Sequence, residues 1–155
     1  MVTTPIPLRV HVTPRLRTLL NIALLTSYLN EYINTINAKA LSMNVLSIII
    51  PARNESENIT TTVTNLTRTL DSHSIRYEIL IIDDGSSDNT YILSTSLCAN
   101  LGPHIRVFRN VGLNGFGRAI CHGLSNITGD YVIVYMADAS DSPDDVIRYY
   151  NLLHG

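Results

Sequence analysis

From residue 43 onward, apolar residues in this chain alternate between two rhythms. Val45 to Ile50 is a nearly continuous apolar run, the mark of a strand buried on both faces, and Pro51 is expected to end it. Ile59, Val63, Leu66 and Leu70 then recur at helical spacing. Asn54, with Glu57 three residues on, has the form of a capping box that would start this helix. Tyr77 to Ile82 is a second buried strand. A helix of about ten residues follows, carrying Ile92, Leu93 and Leu97. Ile105 to Phe108 is a third, shorter strand, Asn110 to Gly117 a glycine-rich loop, and Arg118 to Leu124 a helix. Tyr131 to Met136, rich in Val, Ile and Tyr, is the fourth strand. Ser142 then suits an N-cap and Pro143 the first helical position. Asp144 and Asp145 suit the positive end of a last helix over Val146 to Leu153.

Strand alternating with helix at this spacing predicts an α/β fold: a Rossmann-like, doubly wound, mostly parallel sheet with helices on both faces, joined by right-handed crossovers. Residues 43–155 form that domain. Residues 1–42 differ. Arg9, Arg15 and Arg17 precede a mostly apolar run from Leu19 to Leu29, and the first acidic residue is Glu31. The run is too short and too polar to span a bilayer, which takes about 20 apolar residues. It reads as a poorly packed extension, with an amphipathic interfacial helix that meets a membrane surface, or a transit-like peptide, as the alternatives.

Charge narrows the partners. The formal net charge is -2 and Lys39 is the only lysine, so no basic stripe marks a nucleic-acid surface. The two cysteines, Cys98 and Cys121, are isolated and the five histidines scattered. With neither zinc spacing nor a disulfide framework, a reducing compartment is expected, in the cytoplasm or at the cytoplasmic face of a membrane.

The chemistry gathers in three polar loops, after strands one, two and four: Pro51 to Glu55, Asp83 to Asp88, and Ala137 to Asp141. All three fall at the carboxyl edge of the sheet, where open α/β sheets bind ligands. Several like charges at one rim repel unless a counter-ion or hydrogen-bonding partner is present. In the last loop Asp138 and Asp141 offer hard oxygen ligands of the kind Mg²⁺ or Mn²⁺ takes, usually with a phosphate. Residues three apart on a strand point to opposite faces, so these two can share an ion only if the chain turns at Ala139 and Ser140.

Taken together, Leu46 to Glu55, Glu78 to Asp88, Asn110 to Gly123 and Met136-Ala137-Asp138 resemble the motifs of family 2 glycosyltransferases, and among them the dolichyl- or polyprenyl-phosphate sugar synthases. The resemblance runs from about residue 44 to 150. It implies the nucleotide-sugar-binding part of a GT-A-type fold. Pro51, Ala52 and Glu55 would line the nucleotide pocket, and Asp83 or Asp84 would accept from the base. Asp138 and Asp141 would hold Mg²⁺ or Mn²⁺ against the diphosphate, and Gly115, Gly117 and Arg118 would lie near the donor. The resemblance also implies a nucleotide-diphosphate sugar as donor and a lipid phosphate as acceptor.

The chain departs from the family pattern in two ways. Where the family carries Asp-x-Asp, Ala137 and Ala139 stand at the expected places and the carboxylates fall at Asp138 and Asp141. The family's acceptor region and catalytic base normally follow the metal motif, so the base is expected beyond the C-terminus. The chain could then be a catalytically incomplete nucleotide-sugar-binding module. A dinucleotide-binding domain is the other rival, since Gly115-Phe116-Gly117-Arg118-Ala119-Ile120 nearly matches G-x-G-x-x-G. However, the third glycine is replaced by Ile120 and the loop follows the third strand, not the first.

Overall fold

The computed structural model describes residues 23–34, 45–110 and 112–154. The chain divides into two units, Met1–Ser42 and Met43–Gly155. In the first, residues 23–34 are helical (α1) and all exposed; Arg9, Arg15, Arg17 and Lys39 lie outside the described residues. Among the described residues no helix is long and apolar enough to cross a membrane.

The second unit alternates as the hydrophobic pattern predicts: β1 (Leu46–Ala52), α2 (Ile59–Ser72), β2 (Tyr77–Asp83), α3 (Thr90–Leu101), β3 (Ile105–Arg109), α4 (Phe116–Leu124), β4 (Tyr131–Val134) and α5 (Pro143–His154). The strands form one parallel sheet in the order β3-β2-β1-β4. From β1 the chain steps to β2 and β3, then returns past β1 to lay down β4. Ile48, Ile50, Ile79, Ile81 and Ile105 pack with Val63, Leu66, Leu97 and Val146 of α2, α3 and α5 on one face. Ile49, Leu80 and Ile82 pack with Ala119 of α4 on the other. A crossover of constant hand must change faces when the direction of travel reverses, which is why α4 lies alone opposite α2 and α3. Covered on both faces, β1 and β2 are continuous apolar runs without alternation. The reversal also leaves a crevice between the carboxyl ends of β1 and β4.

Several boundaries differ from expectation. β1 runs on through Pro51 and Ala52, opposite Ile82 and Asp83. Proline stands there at the end of the β1–β4 ladder, whose last bond runs from Tyr135 N to Ile49 O at 2.9 Å, so its missing N–H interrupts no further pairing. The capping box does not form. Helix α2 starts four residues later, after Asn58. Asn54 adopts a left-handed φ of 58° and turns its side chain to the next loop. α4 starts two residues before Arg118. On α3, Ile92 is 66% exposed, while Thr90 and Ser94 take buried positions. Ser142 caps α5 as expected, its Oγ accepting from Asp144 N at 3.3 Å.

A polar knot closes the amino end of the sheet. Glu78 is buried on the α4 face. It accepts from Ser47 Oγ at 2.6 Å, from Arg106 Nη2 at 2.6 Å, and from the backbone N–H groups of Thr128 and Gly129. Three adjacent strands and the α4–β4 connection thus share one carboxylate. Burial, the largest single influence, opposes its ionisation. The hydrogen bonds from Ser47, Thr128 and Arg106 together outweigh that and hold Glu78 below its ordinary pKa.

Two consequences are measurable. A Cβ at Gly123 would lie 2.6 Å from Ile49 Cγ2, inside the packed face of β1. Gly123→Ala is expected to cost about 1–3 kcal/mol, read from the midpoint of urea unfolding. For Glu78 the lowered folded pKa fixes the sign. Its stabilisation is complete above the ordinary value of 4.5 and disappears as pH falls through the lower folded value. The stability gap between wild type and Glu78→Gln should therefore be wide at about pH 7 and narrow at about pH 3, with urea unfolding at both as the check.

Candidate functional site

At the carboxyl ends of β1 and β2 lies a cavity of about 220 Å³. Pro51, Ala52, Arg53 and Glu55 line it from the end of β1, Asp84 from the end of β2, Gly115, Phe116 and Ala119 from the start of α4, and Met136 from the chain leaving β4. Its floor is apolar and its polar groups converge from three connections, the usual make-up of a small-molecule site at a topological switch point.

Hydrogen bonds between the first two loops set its shape. Asn54 N donates to Ser86 Oγ at 3.0 Å, and Ser87 N donates to Asn54 Oδ1 at 2.8 Å. Glu55 N donates to Thr90 Oγ1 at 2.7 Å, and Ser56 N to Asp88 Oδ2 at 3.1 Å. Asp88 Oδ1 also accepts from Thr90 N at 2.9 Å and from Thr90 Oγ1. Those bonds, the Thr90 hydroxyl first, hold Asp88 well below the usual carboxylate range. Asp88 therefore caps α3 and ties its start to the loop after β1.

The adjacent aspartates at the end of β2 part company. Asp83 is fully buried. Its Oδ1 accepts from Ser86 N at 3.3 Å, and its Oδ2 lies 3.1 Å from Arg109 Nε. The angle there falls outside hydrogen-bond geometry, so Oδ2 has charge compensation but no directed donor among the described residues. Asp84 faces the cavity. Its Oδ1 accepts from Asn110 Nδ2 at 2.8 Å and its Oδ2 from Gly115 N at 2.7 Å, which pins the start of α4 against β2. Gly85 permits this turn: its φ is +74°, and a Cβ there would meet the Asn114 side chain at 2.4 Å.

The loop after β4 is folded on itself. Asp141 Oδ2 accepts from Met136 N at 2.8 Å, and Tyr135 Oη donates to Asp141 O at 2.7 Å. Burial first, then the charges of Asp141 and Asp145, push the Tyr135 phenol up to about 12, so it remains a donor at neutral pH. Thr62 Oγ1 of α2 donates to Ala137 O at 3.0 Å. The turn between the two aspartates exists, and it needs a left-handed residue: Ala139 has φ 61°. Asp138 is exposed, and its Oδ1 accepts from Ser140 N at 3.0 Å. That bond lowers its pKa and keeps it ionised.

Of the residues expected near a donor, Pro51, Ala52, Glu55, Asp84 and Gly115 share the cavity wall. Gly117 and Arg118 lie exposed in the first turn of α4, and Asp83 lies behind the wall. Asp138 follows Met136 by two residues. Asp141 lines a separate groove with Tyr135, Asp145 and Tyr149. Arg53, Phe116, Ala119 and Met136 line the cavity without having been singled out. Phe116 and Ala119 carried a signal, since they flank the glycines in the loop before α4. Among the described residues no three His, Cys, Asp or Glu side chains gather so as to hold a metal ion. An ion held by one or two carboxylates and completed by substrate phosphates and water does not require three, and the exposed, ionised Asp138 fits that role.

The chain belongs to glycosyl transferase family 2, whose model matches residues 47–154. Its fold is shared by solved glycosyltransferases. Glucosyl-3-phosphoglycerate synthase from Mycobacterium tuberculosis, solved with Mn²⁺, UDP and glucosyl-3-phosphoglycerate, superposes with a TM-score of 0.58 at 24% identity, over 71% of this chain and 39% of that one. A mannosyltransferase from Pyrobaculum calidifontis, in complex with GDP-Man and Mn²⁺, gives 0.55 at 23% identity, over 65% of this chain and 30% of that one. Mannosyl-3-phosphoglycerate synthase from Rubrobacter xylanophilus gives 0.54 at 23%, over 67% and 33%. The chain thus spans well under half the length of these structures. At such identities the likeness is one of fold, and it places the chain among α/β domains of GT-A type.

Relief of the strain at Ala139 gives a test of the loop. Left-handed backbone costs a non-glycine residue about 1 kcal/mol, so Ala139→Gly should raise unfolding stability by up to about that amount. Thermal unfolding of the two proteins side by side measures it.

Proposed function

We propose that the cavity binds a nucleotide-diphosphate sugar and that the domain serves a divalent-metal-dependent, inverting glycosyl transfer. The observation that carries this reading is the convergence of Glu55, Asp84 and Gly115 on one apolar-floored cavity at the switch point of a family 2 domain. Asp84 is the carboxylate available to accept an N–H of the base. Both its oxygens already hold protein donors, so it is rigid before ligand arrives. Phe116, 54% exposed at the cavity wall, offers a face for the base. The opening N–H groups of α4, with Arg53 and Arg118 nearby, suit the diphosphate.

Asp138 would hold Mg²⁺ or Mn²⁺. The ion would neutralise the charge that develops on the departing diphosphate. Asp141, engaged with Met136 N, would support that ligand by holding the turn. The solved relatives with bound GDP-Man or UDP contain Mn²⁺, which supports a similar ion here. For the acceptor we assign a lipid phosphate, resting on the resemblance of the motifs to polyprenyl-phosphate sugar synthases.

Calorimetry with GDP-mannose and UDP-glucose, with and without Mn²⁺, tests the site. Metal-strengthened binding of at least one donor is expected. Asp138→Asn should remove the strengthening by metal and leave the metal-free affinity in place. Asp141→Ala should weaken metal-dependent binding by about tenfold. Binding that ignores both substitutions would reject the metal assignment, and absence of binding to any nucleotide sugar would reject the function. Assay of transfer to a polyprenyl phosphate then separates enzyme from binding module.

A further inference from the structure

The helix α1, residues 23–34, is divided cleanly around its circumference. At about 100° per residue, Leu24, Leu25, Tyr28, Leu29, Tyr32 and Ile33 occupy one half of the wheel. Thr26, Ser27, Asn30, Glu31 and Asn34 occupy the other, with the small Ala23 among them. The six apolar and aromatic side chains are all exposed, from 45% at Leu29 to 68% at Leu24. An apolar half-cylinder of this kind does not stay in water without a partner.

We propose that α1 lies in the surface of an anionic phospholipid bilayer. Three observations choose this occupant. The apolar arc covers half the circumference. That width matches a flat interface, whereas pairing with a second copy of the helix asks for a narrow seam at heptad spacing. Tyr28 and Tyr32 stand on the arc, and tyrosine combines an apolar ring with a hydroxyl that suits the headgroup level. The chain ahead of Glu31 contains Arg9, Arg15 and Arg17 and no Asp or Glu, a cationic segment complementary to anionic headgroups. The described turns, residues 23–34, are about 18 Å long, short of the hydrocarbon thickness, and among the described residues no helix is long and apolar enough to cross a membrane, which suits an orientation along the surface. The polar half carries hydroxyls and amides with a single acidic residue, so apolar burial supplies most of the affinity and the arginines add a salt-sensitive part.

Co-sedimentation of the full chain with vesicles, in the absence of any nucleotide sugar, tests this separately from the donor site. The protein is expected to pellet with vesicles containing about 30% phosphatidylserine and less with pure phosphatidylcholine. Raising salt from about 0.1 M to about 1 M should narrow that difference. Leu25→Glu with Leu29→Glu should lower partitioning by about tenfold or more. Arg15→Gln with Arg17→Gln should remove the preference for anionic lipid while keeping binding to neutral vesicles. An unchanged urea midpoint for both variants would show that residues 43–155 remain folded. The proposal is overturned if the wild-type chain stays in the supernatant with anionic vesicles, or if the leucine variant pellets as well as wild type. It is also overturned if sedimentation velocity shows a dimer that the leucine substitutions dissociate while lipid binding is absent.

Discussion

Asp84 holds Gly115 N at 2.7 Å and Asn110 Nδ2 at 2.8 Å, and with those two bonds it joins the end of β2 to the start of α4. Its own N–H donates to Ala52 O at 2.8 Å, which adds the end of β1. Ala52, Asp84 itself and Gly115, three walls of the cavity, are thereby fixed relative to one another, while Glu55 is held from the next loop by Thr90. A buried carboxylate is costly unless its lone pairs are used. Asp84 uses one on each oxygen for the protein and keeps acceptor capacity for a ligand. The cavity is therefore shaped before anything enters it.

The other carboxylates at this rim are employed in the same way. Asp88 gathers Ser56 and Thr90, Asp83 pairs with Arg109, and Asp141 closes its loop on Met136 N. Their crowding is thus explained mainly by backbone N–H groups that need acceptors, since connections at a sheet edge leave many donors outside the ladder. Asp138 differs. It is exposed, its pKa is lowered, and it stands beside Ala139, a residue in strained backbone.

At the opposite end of the sheet, Glu78 does for the scaffold what Asp84 does for the cavity. It receives Ser47 of β1, Arg106 of β3 and the chain entering β4. The two poles leave the apolar middle of the sheet to α2, α3 and α5 on one side and α4 on the other. Gly123 lets α4 approach Ile49 closely enough to seal that second face.

The alternation of β1 and β2 with helices was legible in the sequence, because strands buried on both faces must be apolar throughout; β4 was legible as a short β-branched run, although Val132 and Val134 are exposed along one face. The family was legible too, because its motifs sit at strand ends whose spacing the hydrophobic runs already define. Within the site, the strand ends placed Pro51 to Glu55 and Asp84 at one rim, and the resemblance to the family added Gly115 near them. It could not separate Asp83 from Asp84: neighbours in the chain point opposite ways, and only the packing of Arg109 and α4 says which way each turns. Nor could it see that Asn54 would leave its capping position, since its side chain is taken by Ser87 from a loop more than thirty residues away in sequence. Local pattern determined the elements and the edge where chemistry gathers. Long-range hydrogen bonds, which no local pattern encodes, decided which carboxylates hold the loops and which remain open to a ligand.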